Sequence, residues 1–268
     1  MELNDLLELL EIPLEVMDRM VQYGKERKIS VDSKRKGLLL NRSTWNEGLE
    51  QLKELVGEDP DGLKILWEML NIACEVYLKY EKYGIHKQIY VDTMKFCTRF
   101  LHEYYQVNHT YKFVWSWWFT RQLSFQEFRV GCLEYELIEE KDKYISIHIP
   151  SDADLSAVEV DKSFGDFRQF LIDYFPDWVD AKWFCESWMM SPELKKLIDD
   201  KSNILAFQNR FDIVSINYDS LGVLDWVYPG FKSVSDDLPE KTRLQKNMKK
   251  FLLSGNKVGW AKGFIKSL

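Results

Sequence analysis
The 268-residue sequence is poor in cysteine, glycine and proline and has no long apolar run. Its four cysteines, Cys74, Cys97, Cys132 and Cys185, lie far apart with no Cys-x-x-Cys pair and sit among apolar neighbours. That spacing speaks against a disulfide framework or a cysteine zinc site and reads as buried free thiols, with no metal expected. With 13 glycines and 7 prolines, collagen-like, low-complexity and largely disordered chains are excluded. The most apolar stretch, residues 113–119, is seven residues long and contains Ser116, whereas a bilayer span needs about 20, so no membrane is expected. The opening MELNDLLELLE carries acids where a signal peptide carries bases, and a cytoplasmic location is expected. Bases are outnumbered, 36 Lys and Arg against 43 Asp and Glu for a net charge of −7, which argues against a nucleic-acid partner.

What the chain has is a hydrophobic content of 46% and an aromatic content of 15%, enough for a full core. Up to about residue 110 the apolar positions repeat every three to four residues, which predicts amphipathic helices. Pro13 fits the first turn of a helix to about Lys28, and Thr44 with Glu47 forms a capping-box pattern for the next. Asp59 and Pro60 open a third that stops near Gly84, and a fourth spans residues 86–105. Residues 28–41 are basic and read as an irregular loop.

Beyond the run TYKFVWSWWF the period falls to two. Residues 125–138 and 144–149, with Lys141, Asp142 and Lys143 between them, predict a β-hairpin. Ser156 and Glu159 suggest a capping box for a helix ending before Pro176. Strands are expected at 183–189, 212–218 and 223–228, a short helix near 191–198, an irregular or helical turn at 202–211, a last helix at 239–253 and an extended tail at 257–265. The expected fold class is therefore α+β, with an all-α domain at 1–112 followed at 113–268 by a mixed β-sheet domain with flanking helices.

Several segments of the second half resemble a bacterial family of acyltransferase-like proteins that joins a helical N-acyltransferase N-terminal domain to a GNAT-like C-terminal domain. They include Trp118 to Arg121, Phe128 with Gly131, Glu134 and Glu136, and Ile147-His148-Ile149-Pro150-Ser151. Phe175-Pro176, Cys185-Glu186-Ser187-Trp188, Ser202-Asn203-Ile204 with Phe207 and Phe211, Thr242 with Gln245, and Gly259-Trp260 with Gly263-Phe264 continue the pattern. The resemblance implies a sheet splayed at its centre, an acyl-CoA or acetyl-CoA co-substrate bound in the splay, and direct acyl transfer to a small-molecule amine. On that reading Ile147, Ile149, Ser151, Ala153, Leu155 and Ser156 hold the CoA arm. The strand–loop–helix order at 149–156 would aim backbone N–H groups and a positive helix end at a pyrophosphate. The loop itself departs from the GNAT pattern, offering Ser151-Asp152-Ala153-Asp154-Leu155 with no glycine and two carboxylates that oppose an anion.

For the chemistry, strand alternation puts His148 on one face with Ser146 and Tyr144, either as general base or as a structural hydrogen-bonding residue. Glu134 and Glu136 share one face of their strand, either to remove an ammonium proton or as a solvated face. Tyr218 is a candidate acid for the departing thiolate. Cys185 and Ser187 could act as nucleophiles but lack basic neighbours or an elbow motif, so packing is preferred. Tyr111, Trp115, Trp118 and Phe119 form a stripe read as inter-domain core in preference to a ligand wall. Residues 241–268 carry +8 against −15 for the rest, with Arg243, Lys246 and Lys250 on one stripe, read as a solvated helix face in preference to a guide for a CoA phosphate. The alternative function is a noncatalytic GNAT-shaped module recognising a small anion or a protein.

Overall fold
The computed structural model describes residues 1–27 and 30–267, and the chain divides into two compact units, Met1–Val130 and Gly131–Leu268. The first unit is helical: α1 (Leu3–Leu9), α2 (Leu14–Glu26), α3 (Ser33–Leu39), α4 (Trp45–Val56), α5 (Leu63–Tyr83), α6 (Lys87–Met94), α7 (Phe96–Asn108) and α8 (Ser116–Leu123), followed by strand β1 (Glu127–Val130). It runs past residue 112 and takes in the aromatic run.

Local chemistry explains where the helices differ from expectation. α2 ends at Glu26, and the expected end at Lys28 lies outside the described residues, as does residue 29. Part of the expected loop at 28–41 is α3, because the Asp32 side chain caps Arg35 N–H and Leu39 supplies a fully buried anchor. The Thr44 box does not form: its hydroxyl donates to the Leu38 carbonyl at 2.9 Å. Asp59 does cap, accepting from Lys64 and Ile65 N–H, while Gly62 takes φ +69° immediately before α5. The expected single helix at 86–105 breaks at Lys95, because Thr93, Met94, Phe96, Cys97 and Thr98 are all buried, more successive positions than one helical stripe can turn inward.

The aromatic stripe is core of the first unit. Phe119 is fully buried with its ring 4.8 Å from Phe96, and Trp115 stacks on Phe100 at 4.3 Å. Trp118 and Gln122 both donate to a buried carboxylate, Glu127, at 3.2 and 2.6 Å.

The second unit comprises β2 (Leu133–Glu139), β3 (Lys143–His148), α9 (Ala157–Tyr174), β4 (Lys182–Ser187), α10 (Asn203–Gln208), β5 (Phe211–Asn217), α11 (Gly222–Val227), α12 (Arg243–Leu253) and β6 (Trp260–Ile265). Its strands lie in the order β2-β3-β4-β6-β5. β2 and β3 form the expected antiparallel hairpin, but the expected strand at 125–138 is interrupted at Gly131, whose φ of +66° admits glycine most readily. β3 pairs in parallel with β4, with α9 as the crossover, and β4–β6 and β6–β5 are antiparallel. The sheet is mixed, as expected.

Residue alternation sorts the two faces. Tyr135 and Trp183 face α9: Tyr135 stacks on Phe167 at 3.9 Å and shares a 2.7 Å hydrogen bond with Ser163. The other face carries Glu134, Glu136, Tyr144, Ser146, His148, Phe184, Glu186, Lys262 and Phe264. A second core beside the sheet joins α10, α11 and α12 through Leu205, Leu224, Val227, Tyr228, Met248 and Leu252. The expected strand at 223–228 is α11 instead: burying Val223, Leu224 and Val227 in this core requires helical spacing. α12 begins at Arg243, later than expected, where Thr242 and Gln245 form a complete capping box.

Candidate active site
β3 ends at His148, and Pro150 two residues later cannot donate to a ladder. In the hairpin register Glu134 stands opposite His148, and Glu136 opposite Ser146. The contact is diagonal: His148 Nε2 lies 3.1 Å from Glu136 Oε2. Glu134 and Glu136 are 4% and 3% exposed, so neither belongs to a solvated strand face. The His148 side chain keeps 21% of its surface in solvent. An Nε2–H of His148 would donate to the Glu136 carboxylate at this distance.

The parallel β3–β4 ladder runs from Tyr144 opposite Lys182 to Ile147 opposite Cys185 and stops there. His148 and Glu186 are the next residues on the two strands and lie beyond the last pair, while β4 continues along β6 to Ser187. The pair therefore stands at the end of the β3–β4 ladder.

From this point the chain passes through residues 149–156 to α9. Ser156 is at the N-cap position, yet its side chain accepts no hydrogen bond, so the expected box with Glu159 is absent. Asp154 turns the loop instead, accepting from Ser156 N–H at 2.8 Å. Its carboxylate is satisfied by the loop, and the first N–H groups of α9 are not taken by Ser156. Arg210 brings a positive charge to this end of α9, donating to the Ala157 carbonyl and pairing with Asp161.

Sequence comparison matches residues 128–265 to the GNAT-like C-terminal domain and residues 1–125 to the N-acyltransferase N-terminal domain. The chain belongs to the GNAT-like C-terminal domain family. A comparison with curated proteins gives no match. Among solved structures, an acyltransferase in complex with decanoyl-CoA and teicoplanin is similar, at 19% identity and a TM-score of 0.77 over 98% of this chain and 87% of that one. An acyltransferase mutant in complex with octanoyl-CoA is similar too, at 20% identity and a TM-score of 0.78 over 99% and 87%. These likenesses show a shared fold.

Within the GNAT-like unit the remaining expected residues are placed as follows. Ile149, Ser151 and Ala153 line the path from β3 to α9 with half-buried or exposed side chains, whereas Ile147 and Leu155 are buried at 1% and 9% exposure and offer backbone alone. Tyr218 is not brought to His148. It follows β5, three strand spacings from β3 or about 14 Å across the sheet. Its hydroxyl donates to Glu193 at 2.6 Å, a bond that raises the phenol above its ordinary value. Cys185 is fully buried on the α9 face, away from His148, and burial pushes its thiol well above the ordinary range. Ser187 spends its hydroxyl capping Met189 N–H.

Two residues escaped the sequence reading. Arg210 reaches the start of α9 from the turn before β5, a contact with no signal in local sequence. Lys262 lies over the Phe184 ring at 3.8 Å and 3.9 Å from Glu186, on the same face as His148. Period-two alternation in the tail would have put it on that face had the tail's register been known.

No helix among the described residues is long and apolar enough to cross a membrane.

Proposed function
We propose that this GNAT-like protein is an acyltransferase that moves an acyl group from acyl-CoA to an amine by direct attack, with His148 as the base and Glu136 as its holder. The observation that carries this reading is the 3.1 Å His148–Glu136 pair at the point where the β3–β4 ladder ends. The solved relatives support the donor, since their complexes contain decanoyl-CoA, octanoyl-CoA and CoA. The complex with teicoplanin supports a small-molecule acceptor.

The residues present fit a CoA arm in the following way. The start of α9 presents N–H groups that Ser156 does not take, and Arg210, which is paired with Asp161, lies beside them. Ser151, Ala153 and Ser156 border that end, while Asp152 and Asp154 add negative charge beside it, so backbone donors and Arg210 do the holding. A bound acyl-CoA supplies the thioester.

The His148 imidazole accepts the proton that the amine loses as its nitrogen bonds to the thioester carbonyl carbon. The C–N bond forms, the C–S bond breaks, and the sulfur leaves as thiolate with the electron pair. His148 then releases its proton to solvent. Glu136 takes the carboxylate role because it touches the imidazole, fixing the tautomer and steadying the cation that forms.

The test is release of CoA thiol from decanoyl-, octanoyl- and acetyl-CoA with an amine acceptor, teicoplanin among them. His148→Ala is expected to lower turnover by about 10² or more without a matching loss of donor affinity by isothermal titration. Full turnover in that variant removes the role of His148. Absence of both binding and thiol release with every donor removes acyl transfer.

A further inference from the structure
A second concave feature lies at the other end of β3, four residues and about 13 Å along the strand from His148. It is a cleft of about 500 Å³ where β3 and β4 begin and β6 ends. Tyr144 and Phe264 supply aromatic walls, and Arg168, Lys182 and Lys266 its charge, with no carboxylate side chain among the described lining residues. The Tyr144 and Phe264 rings stand 6.3 Å apart at 49°, an open corner of two aromatic faces.

The three cations are unequally occupied. Lys266 donates to the Asn209 carbonyl at 2.9 Å and lies 3.8 Å from Asp212. Among the described residues the Arg168 and Lys182 side chains have neither an ion pair nor a hydrogen bond. Lys182 and Lys266 each stand two residues beyond the paired Phe184 and Phe264 on neighbouring strand ends, so like charges crowd one rim.

We propose that this cleft is a binding site for a small aromatic anion, a planar ring bearing a phosphate or a carboxylate. The ring packs in the Tyr144–Phe264 corner, and the anionic group lies against Arg168 and Lys182, where its charge offsets the crowding of Lys182 with Lys266. The volume suits a molecule of that size, and a planar guanidinium beside an ammonium is a chemically apt pair for either head group. The site is separate from the acyl-transfer end and does not depend on the reading given there.

The test titrates the whole chain at low salt with phenyl phosphate, benzoate, inorganic phosphate and phenol. One of the two aromatic anions is expected to bind at one per chain, about tenfold tighter than inorganic phosphate or phenol, and the tighter of the two names the head group. Arg168→Gln and Lys182→Gln should each weaken it about fivefold or more, and added salt should weaken it further. Thiol release from acyl-CoA should be unchanged in Arg168→Gln, so failure here is distinguishable from failure of the acyltransferase reading. No binding of either aromatic anion, binding indifferent to both substitutions, or binding abolished by Ser156→Trp at the other end of the sheet would each overturn the proposal.

Discussion

Replacing Glu136 by Gln removes one charge from the proposed site and little else, since the two side chains have nearly the same shape. At 3.1 Å and an effective dielectric of about 20, carboxylate and imidazolium attract by about 5 kcal/mol. Solvent at the partly exposed imidazole reduces that figure, and the Gln carbonyl retains a neutral hydrogen bond of about 1 kcal/mol. A loss near 3 kcal/mol remains, about 10²-fold in rate. The loss belongs to the step in which the imidazole becomes charged, so kcat for thiol release should fall while donor affinity holds. Folding should be little affected, because the same substitution also removes the cost of keeping a carboxylate 97% out of water, the residue being 3% exposed. The decisive assay compares Glu136→Gln, His148→Ala and the double variant. If the carboxylate acts through the ring, the double variant is no slower than His148→Ala alone. A Glu136→Gln enzyme within about threefold of the parent, or losses that multiply in the double variant, would refute the coupling.

Three further outcomes follow from the packing. Tyr135→Phe should cost about 1 to 3 kcal/mol in urea unfolding, because buried Ser163 loses this partner, and adding Ser163→Ala should recover part of the loss. Gly62→Ala should destabilise by about 3 kcal/mol or more, since φ is +69° and an added Cβ would stand 2.0 Å from the Phe113 carbonyl oxygen; a melting temperature equal to the parent's would contradict this. Burial works to raise the Glu193 carboxyl, but hydrogen bonds from Ser191 and Tyr218 outweigh it and hold it below its ordinary 4.5. A depressed value stabilises above the unfolded pKa, so the advantage of the parent over Glu193→Gln should be constant near neutrality and shrink as pH falls below 4.5; an advantage that grew in acid would reverse the sign.

Much of the architecture was legible because amphipathic periods of 3.6 and 2 are strong signals, as in α5, α9 and the β2–β3 hairpin. The misreadings have physical sources. Residues 223–228, VLDWVY, carry β-forming side chains, and only the core they join makes them helical. The basic residues of α3 hid a helix held by one cap and one buried leucine. Neither capping box read from the sequence closes, because at Thr44 the hydroxyl found a backbone carbonyl and at Ser156 the loop took its turn from Asp154, while the box that does close, at Thr242 and Gln245, was not read as one. For the site, alternation alone put His148 and the two glutamates on faces, but the hairpin register decided that Glu136 is the one in contact. Arg210 and the Tyr135–Ser163 bond depend on how distant elements dock, information that no local window holds.

The position of β6 has a bearing on how the chain is made. It is the last strand in sequence, yet it lies between β4 and β5 and is the neighbour through which β5 joins the sheet. A ribosome delivers β5 well before residues 260–265, so a nascent chain holds two strands with exposed polar edges waiting for their shared partner. During synthesis those edges are open to whichever chain arrives first, and crowded polysomes would be the place where misassembly begins.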